Sequence, residues 1–325
     1  MLMSIRLLTA LLLAAGFALC PPARAQSQNY PAHEIHLING YAAGAGADIA
    51  SRIFAKHIEE SLGKPVIVEN RPGAFTNIGA GAVAHAEPDG YTLMFSGHTA
   101  IATNIHLFKT LPFDPVKDFV AIAPAGHIGF GFAVGPQSPV KSMKELTALL
   151  KEKGDKGTYG YANTFGLTAT ELYKNVAGVT PLAVPYKGAG DALTDLTRGD
   201  IDFLVYDLGV LTQQETAGRL RVLAVTTGDR STLRPDLPGM REAGFPDYDL
   251  GAWFGIWAPA NTPPAIVNKL AGVIKEIWNK EDKRQALTAQ TIEPFVASPD
   301  EFAKFIEKET AKWGRVIAIA KIEKQ

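Results

Sequence analysis

Apolar positions along this chain follow two rhythms, one of strands and one of helices. Ile35-His36-Leu37-Ile38-Asn39 is a short apolar run of strand character. A small, glycine-rich stretch follows over 40–47. Beyond Asp48, the residues Ile49, Ile53, Phe54, Ile58 and Leu62 fall on one face of a helix, which Gly63-Lys64-Pro65 ends. Val66-Ile67-Val68 is a second strand, 78–86 a helix of small residues, Pro88-Asp89-Gly90 a turn and 91–95 a third strand. The order βαβαβ implies a parallel sheet flanked by helices.

A second run of the same kind begins with a strand at 130–134. Ser142-Met143-Lys144-Glu145 reads as a capping box opening a helix that runs through Leu150. A strand at 158–162, a loop at 163–166 and a helix toward Val176 follow. Then come a strand at 182–184, a helix at 189–198 and strands at 201–206 and 220–225. Residues 235–248 are rich in Pro, Gly and Asp and read as a connector. Strand character returns at 253–257, and two long helices are expected at 263–278 and 299–320. Ser298-Pro299-Asp300-Glu301 opens the second of these as a capping box with proline at the first helical position. Two α/β units with a late return suggest two lobes, with crossings near 120–125 and 252–258 as the hinge, a division that rests partly on the resemblance given below.

The first 25 residues stand apart. Arg6, an apolar run over 7–20 and Ala23-Arg24-Ala25 follow the order of a secretory signal peptide, and the run is too short for a membrane span. Cleavage near Ala25 removes Arg6, Arg24 and the single cysteine, Cys20. What is left has 30 bases against 33 acids, a net charge of −3, and neither a disulfide nor a thiolate. Such a balance gives no electrostatic footprint for nucleic acid. About 300 residues bury enough apolar surface to be stable without staples.

Several segments together resemble the Bug (TctC-like) family, the extracytoplasmic receptors of tripartite tricarboxylate transporters. They are Gly44-Ala45-Gly46-Ala47-Asp48-Ile49-Ala50-Ser51-Arg52, Val66-Ile67-Val68-Glu69-Asn70-Arg71-Pro72-Gly73-Ala74 and Pro88-Asp89-Gly90-Tyr91-Thr92-Leu93. Val184-Pro185-Tyr186-Lys187-Gly188, Leu223-Ala224-Val225-Thr226, Trp253-Phe254-Gly255 and Ala258-Pro259-Ala260 continue the match. Their order spans nearly the whole chain after residue 25. The resemblance implies a type II periplasmic-binding-protein fold, a Venus flytrap whose lobes each hold a mainly parallel sheet flanked by helices. It divides the chain into a signal peptide (1–25), a first lobe (26–125 and 251–325) and a second lobe (126–250). It also implies a monomeric periplasmic receptor with no enzymatic activity, no cofactor and no metal. Its partners would be a small carboxylate, such as a dicarboxylate or an aromatic acid, and either permease subunits or a membrane sensor kinase.

In that family the guest's carboxylate sits on backbone amides of the first strand-to-helix loop. Here that loop holds Tyr41, Ala43, Gly44, Ala45, Gly46 and Ala47, with Asp48 as the expected N-cap of the helix. Small side chains let a ligand approach the backbone, and a helix N-terminus offers unpaired N–H groups. Ser96, His98 and Thr99 follow the third strand, at the edge of the sheet where α/β ligands bind. Asn163, Thr164, Phe165 and Gly166 should face the cleft from the second lobe. Phe165 and Thr170 depart from the family pattern of a glycine-rich Ser/Thr loop followed by a histidine. Asp207 ends a buried strand and reads either as a ligand or water contact or as a helix N-cap.

Other classes fit less well. Gly44-Ala45-Gly46 lacks the third glycine of a dinucleotide fingerprint, where Ile49 stands. Gly-x-Ser-x-Gly is absent, and Ser96 beside His98 does not by itself make a triad. His33 and His36 lie three apart beside a strand and point to different faces, so they read as solvent histidines and not as metal ligands.

Overall fold

The computed structural model describes residues 30–324; the expected signal segment lies outside them. Two sheets organise the chain. The first contains β1 (Ile35–Asn39), β2 (Val66–Asn70), β3 (Thr92–Gly97), β4 (Phe119–Ile128), β10 (Ala252–Pro259) and β11 (Ile292–Glu293), in the order β11-β4-β10-β3-β1-β2. The second contains β5 (Phe130–Val134), β6 (Thr158–Tyr161), β7 (Leu182–Pro185), β8 (Phe203–Asp207) and β9 (Arg221–Val225), in the order β7-β6-β8-β5-β9. Only Gly129 separates β4 from β5, so the chain passes from one sheet to the other in a single residue. It returns after Leu250, whose N–H donates to Thr226 at 3.0 Å just before β10 begins.

The sheets are mixed, not mainly parallel. Among the described residues, four strand pairs run parallel and five antiparallel. The βαβ units pair in parallel. The strands that cross between sheets, β4, β5 and β10, arrive in the opposite sense and pair antiparallel.

β10 explains why its sequence is apolar without alternation. It pairs with β3 on one side and β4 on the other, and all eight of its residues are buried. Helix α10 (Pro299–Ala320) packs its apolar face over it, and the Trp253 indole donates to Glu309 at 2.9 Å. The capping box that opens α10 is present as read: Ser298 accepts from Glu301 N–H, and the Glu301 carboxylate accepts from Ser298 N–H at 2.8 Å. At Ser142 only half of such a box forms. Its hydroxyl caps Glu145, but Glu145 turns to the Lys141 N–H at 2.6 Å. His33 and His36 lie at the surface as expected, each against a neighbour. His33 stacks on Tyr91 at 3.7 Å, and His36 lies 2.5 Å from Glu69. No helix among the described residues is long and apolar enough to cross a membrane.

Candidate functional site

The loop between β1 and α1 (Gly46–Leu62) is held from beneath. Asn39 is buried; its side-chain oxygen Oδ1 accepts from Tyr41 N–H at 3.1 Å and its side-chain amide Nδ2 donates to Ser51 at 3.2 Å. Gly40 has no room for a side chain, because a Cβ there would lie 2.8 Å from that of Thr76. Gly44 turns the chain with φ +82°, a conformation that favours glycine.

The N-cap position is Ala45, not Asp48. Asp48 sits inside the first turn, where its carboxylate accepts from Gly44 N–H at 2.9 Å and Asn70 at 2.9 Å and pairs with Arg52 at 3.0 Å. Burial works to raise its pKa, but these hydrogen bonds outweigh it and the net shift is downward. Asp48 therefore ties the loop to α1 and lines neither cavity of the cleft. Asp48→Asn keeps the shape and removes the charge, so a loss of roughly 1–3 kcal/mol is expected in urea unfolding at neutral pH. That difference should shrink as pH falls through the depressed carboxylate pKa, because the parent then loses the same charge. Equal stabilities at neutral pH would contradict this role.

This bracing also decides which amides are left over. The N–H groups of Tyr41, Gly44, Ala45 and Asp48 are used within the loop and turn. Among the described residues, nothing accepts from the N–H of Gly46 or Ala47, the first two of α1, where an α-helix leaves its donors unpaired.

The second sheet supplies a matching end. Residues 163–166 are not a loop. Asn163 is the N-cap of α5 (Thr164–Ala177), with its side chain accepting from Gly166 N–H at 2.7 Å. Among the described residues, the N–H groups of Thr164 and Phe165 have no acceptor. Gly166 faces away from the cleft; a Cβ there would lie 2.7 Å from the Val205 carbonyl, so it is small to let α5 sit on β8. Asp207 is the N-cap of α7 (Leu208–Thr216), and one carboxylate oxygen accepts from Gly209 N–H at 2.9 Å and Val210 N–H at 3.2 Å.

Two neighbouring spaces, which share Tyr41, Ala45, Thr99, Asn163 and Tyr206 in their walls, are lined from both sheets' ends. An inner chamber of about 40 Å³ is lined by Tyr41, Gly46, Ala47, Thr99, Asn163 and Asp207, among others. An outer cleft of about 640 Å³ opens beside it, with Ala43, Gly44, Thr164 and Lys187 in its walls. The inner chamber has room for a few water molecules, whereas the outer cleft is in the range that takes a small organic ligand.

His98 is not in solvent. It is 3 % exposed, stacks on Trp313 of α10 at 4.9 Å and meets Phe165 edge-on at 5.4 Å. Burial, helped by the nearby charge of Lys312, lowers its pKa to about 3, so it is a neutral ring at any working pH. The Thr99 hydroxyl lies 3.4 Å from both the His98 ring and the Tyr41 hydroxyl. Ser96 is inside β3, opposite Gly255, and lines neither space, because β3 runs on to Gly97 instead of stopping at residue 95. Phe165 is buried and stacks on Phe130 at 3.9 Å, so it is at once core and chamber wall.

Sequence reasoning missed Tyr206, Phe130 and Phe254 in the chamber, and Lys187 and 73–76 in the cleft. Ala74, Phe75 and Thr76 all have left-handed backbones, and Asn104 holds that turn by donating to the Phe75 carbonyl at 2.7 Å. The left-handed run carries no glycine beyond Gly73 to announce it. Lys187 stood in plain view inside Val-Pro-Tyr-Lys-Gly, and among the described residues it is the only lysine or arginine lining either space.

Two α/β sheets joined by short crossings, with unpaired helix N-termini meeting across a cleft, define a two-lobed solute-binding protein. The profile described as "Tripartite tricarboxylate transporter family receptor" matches residues 50–322, and the chain belongs to that family. It is similar to Protein BugT of Bordetella pertussis, 32 % identical over 295 residues that cover 90 % of each chain. Among solved structures it is similar to R. palustris Rpa4515 with adipate, at TM-score 0.87 and 30 % identity, over 91 % of this chain and all of that one. It is also similar to MatC (Rpa3494) of Rhodopseudomonas palustris with bound malate, at TM-score 0.82 and 27 % identity, over 89 % of this chain and all of that one. No group of three or more metal-binding side chains occurs among the described residues.

Proposed function

We propose that this chain is an exported periplasmic receptor that captures a small carboxylate between its lobes and delivers it, unchanged, to the membrane subunits of a tripartite tricarboxylate transporter. One observation carries the reading. Two helix N-termini bring unpaired N–H groups to these spaces: Gly46 and Ala47 of α1 and Phe165 of α5 line the chamber, and Thr164 of α5 lines the cleft beside it. Helix N-termini attract anions, and N–H to carboxylate bonds strengthen when water is excluded. One carboxylate docks on α1 with Thr99 beside it. The body of the guest lies in the outer cleft, where α5, Asn163 and Lys187 meet its far end. The crossings at 128–130 and 250–252 act as the hinge. The adipate and malate held by similar proteins support a dicarboxylate as guest.

A thermal-shift screen of purified protein against carboxylates, sugars and amines tests this. A guest at a hundredfold excess over its Kd stabilises by about 2.7 kcal/mol, which should raise Tm by roughly 5–10 °C. Shifts for a sugar or an amine and none for any acid would sink the substrate class.

A further inference from the structure

Asp207 is the one carboxylate among the residues lining the inner chamber, and it faces the helix end assigned to the guest. One of its oxygens, Oδ1, is occupied by the N–H groups of Gly209 and Val210. The other, Oδ2, has no hydrogen-bond partner among the described residues and lies 2.5 Å from where a Cβ on Gly46 would be. The residue is 6 % exposed. An unpaired acidic oxygen thus points from the second lobe at the N-terminus of α1.

We propose that Asp207 makes capture proton-coupled: a guest carboxylate docks on Gly46 and Ala47 together with one proton, which Asp207 Oδ2 takes from solvent and donates to the guest. The inference rests on the carboxylate reading of this cleft. Two carboxylates brought to one helix end cannot both stay ionised in a dry site, and sharing a proton turns their repulsion into an O–H to O⁻ hydrogen bond. No bond other than this proton's changes. Among the described residues, none that lines the chamber carries a counter-charge, and Lys312, whose charge reaches His98, is paired with Glu309 at 2.7 Å. His98 is neutral, and burial raises the pKa of both the Tyr41 and Tyr206 hydroxyls, so they are neutral too. Asp48 is turned toward Gly44, Arg52 and Asn70, and Phe130 of β5, the partner of Asp207 in the β5–β8 pair, carries no charge. Lys187 lines the outer cleft and not the chamber. Burial raises the Asp207 pKa to about 6 even without a guest, against the pull of its two backbone donors, and a second anion moves it in the same direction.

The test is isothermal titration of adipate into the parent and into Asp207→Asn, between about pH 6.5 and pH 8.5, in buffers of different ionisation enthalpy. Asn is as good an N-cap as Asp, so the variant keeps the start of α7. For the parent, affinity should fall nearly tenfold per pH unit above the Asp207 pKa, with close to one proton taken up per guest. For the variant, affinity should stay within about twofold across the range, with no proton taken up. Adipate bound by the parent with flat affinity and no proton uptake overturns the inference while leaving the carboxylate reading intact. Failure of every carboxylate to bind at any pH overturns that reading itself. Should the variant fail to fold, the parent's proton count decides alone.

Discussion

Gly46→Val is expected to weaken carboxylate capture by roughly two to four orders of magnitude while leaving the protein folded. Gly46 is the first residue of α1 and carries one of the two unpaired N–H groups at its tip. Its φ is not in the left-handed region, so valine meets no backbone conflict there. The conflict lies across the cleft. A Cβ would come within 2.5 Å of Asp207 Oδ2 and 3.1 Å of its Cγ, so the lobes cannot approach to the distance seen here. A guest carboxylate then loses hydrogen bonds to an ionised group, each typically worth about 1.5–3 kcal/mol, from Gly46 and Ala47 together. The affected atoms face the cleft and not a core, so Tm should stay within a few degrees of the parent. Titration calorimetry with adipate and a circular-dichroism melt separate the two effects. Unchanged affinity would remove Gly46 from the binding site, and a collapsed melt would make its role structural.

The second large effect is one of stability. Phe165→Ala should cost roughly 3–5 kcal/mol, the usual range for emptying a buried aromatic site. Phe165 stacks on Phe130 within its own lobe and meets Trp313 at 5.7 Å and His98 at 5.4 Å from the other. Removing it therefore opens a void in the second lobe and takes away part of the apolar contact that favours closure. The melting temperature should fall by about 10 °C or more, and affinity should weaken as well, because the closed form is less populated. A Phe165→Leu variant should recover most of the stability. A Phe165→Ala protein that melts with the parent would mean that the side chain is not packed as described.

How much of this the sequence disclosed depended on whether the signal was local. The strand at 130–134 and the helices at 189–198 and 299–320 have the bounds their periodicity and capping residues predict. Helix Leu208–Thr216 was missed because its apolar residues cluster at one end and show little amphipathic rhythm, although its N-cap, Asp207, was noticed. The five-residue π-helical turn Thr99–Thr103 was missed too, since it is buried throughout and so lacks the polar face that marks a helix. The glycine-rich loop after β1 was legible as a turn into a helix N-terminus, because small residues before a helix have a direct physical meaning. Which of its amides stay free was not, since that depends on Asn39, Asp48 and Asn70 meeting from three separate elements. Ser96 was misplaced by two residues of strand, and Gly166 was assigned to the cleft when it packs inward. Tyr206, Phe254 and Phe130 reach the chamber only through the folding of both sheets, and no short motif announces them.

On the function proposed, main-chain donors at the tip of α1 hold the guest. A crystal structure of the protein with a dicarboxylate, adipate first, tests it most directly. One carboxylate should lie about 2.7–3.1 Å from the Gly46 and Ala47 nitrogens, with Asp207 Oδ2 in contact with the same group. A guest held instead by Lys187 in the outer cleft, with water on the Gly46 and Ala47 amides, would contradict the account.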